Sequence, residues 1–354
     1  MKILYIAMKY DYGDPGRGLS FEHYNFYDSL VKMDGEKHKI IYFPFDEVMR
    51  SIGKGEMNIE LLKTAEKERP DLCFFFLFTD EIGGETIRAV GKRSGAINFN
   101  WFADDHWRFD NFSKHYAPFF DWVATTDSQA PKKYRKIGYN NVIKTQWACN
   151  YFLYRPVAAE KKYDVTFVGQ PHGNRGAIVK HIEDAGVGIE CWGNGWPNSR
   201  ISQEKMIEVF STSKINLNLT KSSGRLFNIK EIAKIFLNKR SDGSFRLHSP
   251  LRWYDNAKSL WNKRREQIKG RNFEIPGCGG FLLTADADNL RDYYEDGKEI
   301  VIFKDEKDLI EKIRYYLLHD SEREAIARRG YERTVREHTY EKRFNEIFKT
   351  MRLS

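Results

Sequence analysis

The residues best suited to chemistry gather at four places. Residues 269–284 read KGRNFEIPGCGGFLLT. Arg271 offers a planar fork of donors that fits a phosphate, and Glu274, one turn on, can accept hydrogen bonds from hydroxyl groups. Asp104 and Asp105 stand beside His106 and Arg108 in the run ADDHWR. Adjacent carboxylates point in different directions, so one is expected to bind substrate or take a proton while the other caps a helix or pairs with Arg108. Arg175 closes the run GQPHGNR at 169–175, and His23 follows the spaced glycines Gly13, Gly16 and Gly18 as a further candidate base. Two arginines and a carboxylate are what a reaction needs when its leaving group gathers negative charge away from bulk water.

Such groups must be held at one edge of a sheet, and the sequence alternates short apolar strands with amphipathic helices, the pattern of a parallel α/β fold. In the first half, strands are expected over 3–7, 40–43, 72–78, 96–102, 121–126 and 142–147, and helices over 57–69, 86–93 and 129–137. A further helix starts after Ser20, a suitable cap, and the glycine run before it reads as a flexible loop. Pro156 and the charged run 160–162 form a linker. A second α/β unit begins at residue 163, with strands over 165–168, 189–192, 215–219, 281–284 and 300–303 and helices over 175–185, 203–211, 309–318 and 340–351. Helices over 228–239 and 254–269 fall in a basic stretch. Both halves repeat strand, glycine loop, helix. The spacing of Gly13, Gly16 and Gly18 does not give G-x-G-x-x-G. In a parallel sheet the carboxyl ends of the strands form the binding edge, so the amides beside Gly270 and Arg271 are expected to face a crevice.

A chain of 354 residues exceeds what one core usually serves, so two domains are expected. No run of eighteen apolar residues occurs, and 72–78 is a buried strand, not a membrane span. The amino terminus MKILYIAMKYDYG has no small-residue cleavage site and reads as a first strand. Cys73, Cys149, Cys191 and Cys278 have no metal spacing and are expected to be free thiols in a reducing cytoplasm. Net charge is +8, and residues 225–271 hold thirteen Lys and Arg against four Asp and Glu, so the positive field belongs to that segment. It is either a solvated insertion or a surface for a polyanion.

The run R-x-F-E-x-x-x-C-G-G with its apolar strand resembles the second half of group 1 glycosyltransferases, especially the spore-maturation-protein-like branch. The likeness continues through 293–297, 300–303 and 309–318 to Ala327, Gly330, Tyr331, His338, Thr339, Tyr340 and Arg343. It is close over about the last ninety residues and holds only in outline over the first half. The resemblance implies a GT-B fold: two Rossmann-like, doubly wound α/β domains facing across a cleft. Residues 1–155 would form the acceptor side and 156–339 the nucleotide-sugar domain with a basic insertion at 221–270, while 340–354 would return to the first domain as a helix. It implies donor contacts at Glu274, where the family holds a ribose, and at Glu266, eight positions earlier, although the Gly-Phe-Gly that usually follows the first glutamate is absent. It also implies approach of Gly16 and Gly18 to the donor phosphates or the acceptor, and donor binding around Gly169 and Gly270. Arg175 and Arg271 would meet the diphosphate.

With both arginines in reach no metal or other cofactor is expected, and Asp286-Ala287-Asp288 reads as a turn. The activity implied is sugar transfer from a nucleoside-diphosphate sugar, of UDP or GDP type, to a hydroxyl acceptor such as a glycan or lipid-linked sugar, with Asp104, Asp105 or His23 as the base. Replacing Arg271 by Ala is expected to abolish transfer and leave the fold intact. Two other readings stand beside it: a nucleotide-sugar 2-epimerase, which would need no acceptor, and a nucleic-acid-binding or DNA-directed protein that uses the basic, aromatic segment 225–271. That segment could also touch a membrane surface.

Overall fold

The computed structural model describes residues 1–219, 229–239 and 244–353, so parts of the basic stretch, at 220–228 and 240–243, lie outside the described residues. Strands β1 (Lys2–Ala7), β2 (Lys39–Pro44), β3 (Leu72–Phe75), β4 (Ile97–Phe102), β5 (Trp122–Thr125) and β6 (Val142–Lys144) form one parallel sheet in the order β2-β1-β3-β4-β5-β6. Strands β7 (Tyr163–Val168), β8 (Ile189–Trp192) and β9 (Ser213–Asn218) precede a small antiparallel hairpin, β10 (Leu237–Lys239) and β11 (Phe245–Leu247). With β12 (Leu282–Ala285) and β13 (Val301–Phe303) they complete a second parallel sheet, β13-β12-β9-β7-β8. The central strands LCFF and LLTA are buried on both faces, as expected where helices cover a parallel sheet on each side. In both sheets the strand order reverses beside the first strand, at β1/β3 and at β7/β9. A doubly wound sheet opens its binding crevice at that reversal.

The chain divides into two compact units. The first comprises Met1–Gln146, Leu226–Asn262 and Glu341–Ser354, and the second Trp147–Arg225 and Lys263–Tyr340. The sequence places 147–155 with the first half and the basic insertion with the second, whereas the contacts assign both differently. Cys149 is tied to the second unit by Cys149 N to His338 O at 2.9 Å and by Tyr340 N to Cys149 O at 3.1 Å. Helix Pro250–Asn262 is tied to the first by Lys114 to Asp255 at 2.7 Å and Lys258 to Asp110 at 3.0 Å. Helix Tyr340–Thr350 returns to the first unit, where Phe344 lies 5.5 Å from Phe26 and 5.7 Å from Phe74, ring centre to ring centre.

Several elements are longer than periodicity suggests. The helical span Phe45–Glu68 starts well before residue 57 and consists of two helical segments that meet in a kink at Gly53, whose φ of 82° is not helical. Helix Asp320–Glu337 is too polar for its narrow apolar face to stand out, and nothing in the sequence reading anticipated it. Strand β3 ends at Phe75 because Asn100 takes the Leu77 amide at 3.2 Å and turns the chain out of the sheet.

Candidate active site

In the second unit the site is built on the exits of β7 and β9. The loop after β7 lies close against the loop after β8, since a Cβ on Gly193 would meet Gly169 O at 2.3 Å. Trp196 Nε1 then donates to that same oxygen at 2.7 Å. Arg175 straps the crevice loops together, its Nε donating to Leu219 O and its Nη1 to Gln170 O, each at 3.0 Å. Burial holds its guanidinium below the usual arginine range.

One residue before Leu219, Asn218 ends β9 inside a buried polar network. Its amide donates to Asn272 Oδ1 at 2.9 Å and to Thr284 Oγ1 at 3.3 Å, and Asn272 also receives the Lys269 amide at 2.9 Å. This network seats the short helix Arg271–Gly277 on the carboxyl end of the sheet. Arg175 and the Arg271 helix therefore converge on consecutive residues, Leu219 and Asn218. The glycines beyond permit the close fit: a Cβ on Gly277 would strike Cys149 Sγ at 2.3 Å, and one on Gly280 would strike Phe210 O at 2.6 Å.

Arg271 carries the charge of the site, because a helix of seven residues has little dipole to add. The guanidinium lies over the Phe210 ring and pairs with Glu274 Oε2. Glu274 is fully buried, and its other oxygen receives the Tyr154 hydroxyl at 3.0 Å. Burial raises the Tyr154 phenol well above its ordinary range, and the Glu274 carboxylate adds to this, so Tyr154 is the proton donor of the pair. Glu274, expected at a sugar hydroxyl, is thus placed inward as the brace of Arg271. Gly270 opens the helix, its carbonyl accepting the Phe273 and Glu274 amides at 2.9 Å. Glu266 lies apart from this pair, on the stretch whose carbonyl receives the Asp288 amide at 3.2 Å. Asp286 pairs with Arg291, and Asp288 with Arg265 at 3.8 Å, which makes both turn residues with cationic partners.

The first unit presents its own wall at the β1/β3 reversal. The loop expected to be flexible is closely tied. Asp46 receives the Lys9 and Tyr10 amides at 2.8 and 3.0 Å, Asp11 N reaches Gly18 O at 3.0 Å, and Arg50 reaches Gly13 O at 2.7 Å. Gly16 donates to Asp14 Oδ1 at 2.9 Å within a tight turn, and Gly18 at φ 80° closes it. Ser20 caps the following helix, taking the His23 amide at 3.0 Å. Tyr12, exposed at the tip, meets Phe78 from the loop after β3 edge to face at 5.8 Å. Beside them a hollow is lined by Phe78, Phe102, Asp104, Arg108 and Phe112.

Asp104 is half-buried on that hollow, whereas Asp105 turns into the core and receives the Tyr134 hydroxyl at 2.9 Å. Burial pushes Asp105 up to about 6, although the Ser113, Thr125 and Tyr134 hydroxyls oppose it. Arg108 lies over the Phe112 ring at 4.3 Å and donates to Phe78 O, so it shapes the hollow. His23 stands away from it, its ring 5.2 Å from Tyr27 and 5.7 Å from Tyr42, and burial keeps the imidazole below its usual range. Wide π turns at His23–Tyr27 and Phe109–Ser113 shift the register of the helices behind both groups.

Sequence reasoning missed Tyr154, Asn218, Asn272, Tyr12 and Glu22, whose carboxyl burial pushes up to about 7. A signal for Asn218 was present: INLNL, like INFNW in the first half, places Asn at alternate positions of an otherwise apolar strand, which makes a buried polar row.

Residues 175–349 match the family described as glycosyl transferase-like. The chain is similar to spore protein CgeB of Bacillus subtilis (strain 168), 23% identical over 246 residues, which cover 68% of this chain and 71% of that protein. Among solved structures it is similar to Alr3699/HepE of Anabaena in complex with UDP and glucose, with a TM-score of 0.59 and 10% identity over 99% of both chains. The sucrose-phosphate synthase of Thermosynechococcus elongatus gives 0.60 and 9% identity, covering 99% of this chain and 98% of that one. The lipopolysaccharide outer core galactosyltransferase WaaB gives 0.52 and 12%, covering 99% and 100%. At such identities these likenesses establish the fold, GT-B.

Proposed function

We propose, for a chain whose residues 175–349 match the glycosyl transferase-like family and which carries the GT-B fold, that it transfers a sugar from a nucleoside-diphosphate sugar to a hydroxyl acceptor without a metal. The observation that carries this is the Arg271 fork, held by buried Glu274 and Tyr154 at the carboxyl edge of the second sheet, next to the loops strapped by Arg175. A leaving diphosphate gains charge as the bond from the sugar carbon to its phosphate oxygen breaks and the electron pair moves to that oxygen. A guanidinium fixed beforehand stabilises the charge without reorganising. Likeness to a protein solved with UDP and with UDP-glucose supports a donor of this kind. On the first unit, Tyr12 and Phe78 offer ring faces to an acceptor sugar, and Asp104 on the adjoining hollow takes the proton of the attacking hydroxyl.

The test is direct. Nucleoside diphosphates and their sugars are screened for thermal stabilisation of the whole chain, where a ligand at a hundred times its Kd adds about 2.7 kcal/mol. Release of nucleoside diphosphate from the stabilising donor is then followed with and without oligosaccharide acceptors. Acceptor-dependent release is the expected result. Failure of every nucleotide to stabilise the chain, or conversion of the donor to an epimer with no acceptor present, overturns the reading.

A further inference from the structure

Helix Pro250–Asn262 has one face fixed in the first unit. Asp255 receives Lys114, Lys258 reaches Asp110, and Asn256 donates to Ile235 O at 3.0 Å, with Asn256 and Ser259 buried. Leu251 and Tyr254, three residues apart and so side by side on the helix, stay outside that contact. They are 90% and 75% exposed. The hairpin adds to this. Leu237 faces Leu247 across the strands, and Leu247 and Phe245, two residues apart, share one face at 71% and 68% exposure. Ile229 is 83% exposed at the start of the helix before it. Large apolar side chains concentrated in this way on one short segment mark an interaction surface.

The charge of the segment says what covers it. Residues 226–262 hold seven Lys and Arg against three Asp and Glu. Of the acids, Asp255 and Glu231 are engaged by Lys114 and Lys234, while Arg246 and Arg252 are exposed among the apolar side chains. A nucleic acid strand would be met by aromatic faces, on which bases stack. Here the two most exposed groups, Leu251 and Ile229, are aliphatic, and Trp253 packs edge to face against Phe236 at 5.1 Å. Aliphatic and tyrosine side chains flanked by arginines are the chemistry of an interfacial segment on anionic lipid. Among the described residues no helix is long and apolar enough to cross a membrane, so the contact is with a surface. We propose that the outer face of residues 229–239 and 244–262 docks the first unit on an anionic bilayer.

The experiment floats the whole chain with vesicles of phosphatidylglycerol and phosphatidylcholine, and with phosphatidylcholine alone, at low and at physiological salt. Flotation with the anionic vesicles is expected, about tenfold weaker with the neutral ones and weaker as salt rises. The double substitution L251S/Y254S is expected to weaken flotation by about tenfold with the melting temperature unchanged, since both side chains already face solvent. No flotation at low salt, or equal flotation of L251S/Y254S, overturns the proposal. So does tighter binding to single-stranded DNA than to vesicles, which would assign the face to nucleic acid.

Discussion

Tyr154 donates its hydroxyl to Glu274 at 3.0 Å while Arg271 pairs with the other oxygen of the same carboxylate, which is fully buried. The half-buried cation of the site is thereby tied to an anion that water does not reach. Removing Arg271 strands that anion, at a cost of about 3–5 kcal/mol. Arg271→Ala therefore unfolds at a clearly lower temperature, contrary to the sequence-based expectation of an intact fold. Arg271→Lys retains the charge, keeps most of the stability and lowers kcat by about a hundredfold through loss of the fork. Thermal denaturation beside steady-state kinetics separates the two effects, and an Arg271→Ala protein as stable as the parent would break the link between the pair and the fold.

Removing only the phenol is milder. Tyr154→Phe leaves one carboxylate oxygen without its donor and lowers stability by about 1–3 kcal/mol, measured by urea denaturation. No change in the midpoint would mean that the oxygen has another partner of equal worth.

The neighbouring aspartates divide their work by direction. Asp104→Asn is expected to lower kcat by about a hundredfold or more while the melting temperature holds. Asp105→Asn alters the buried bond to Tyr134 and lowers the melting temperature first. Kinetics and melting on both variants decide it, and the opposite pattern would exchange their roles.

Glu22 sets a pH dependence. Burial, with Asp11 and Asp46 adding to it, raises its carboxyl from the ordinary 4.5 to about 7, against the opposing Ser20 hydroxyl. The folded protein thus holds this proton more firmly than the unfolded chain does. The resulting stability is whole below about pH 4.5 and is lost as pH rises through about 7. Glu22→Gln removes that slope, and its stability relative to the parent rises by up to about 3 kcal/mol between pH 5 and pH 8. Parallel curves for the two proteins in denaturant series at both pH values would show that the group does not titrate there.

On the first unit, Tyr12→Ala removes the exposed half of the ring pair with Phe78. The acceptor KM is expected to rise about fivefold, with kcat and the donor KM unchanged. A change confined to kcat would place Tyr12 in the chemical step.

Strands were legible because parallel sheets need continuous apolar runs, and both sheets read clearly for that reason. The placement of Arg271 on a helix opening at the sheet edge was legible too, since glycines bracket it. The direction of Glu274 was not: a carboxylate one turn from an arginine looks the same whether it faces a ligand or a tyrosine 120 residues away. Likewise nothing local tells Asp104 from Asp105, because Tyr134 reaches the second from a helix 29 positions later. The assignment of residues 226–262 depended on Lys114 and Asp110, which meet it from far upstream.

The place of Phe344 has a consequence for how the protein is made. Its ring closes over Phe26 and Phe74, so the sheet of β1 to β6 keeps its aromatic floor uncovered until residue 344, downstream of all six strands, has emerged. The whole of the second unit is therefore made before that half can seal, and a nascent chain stalled in between would present those rings to chaperones or to its neighbours.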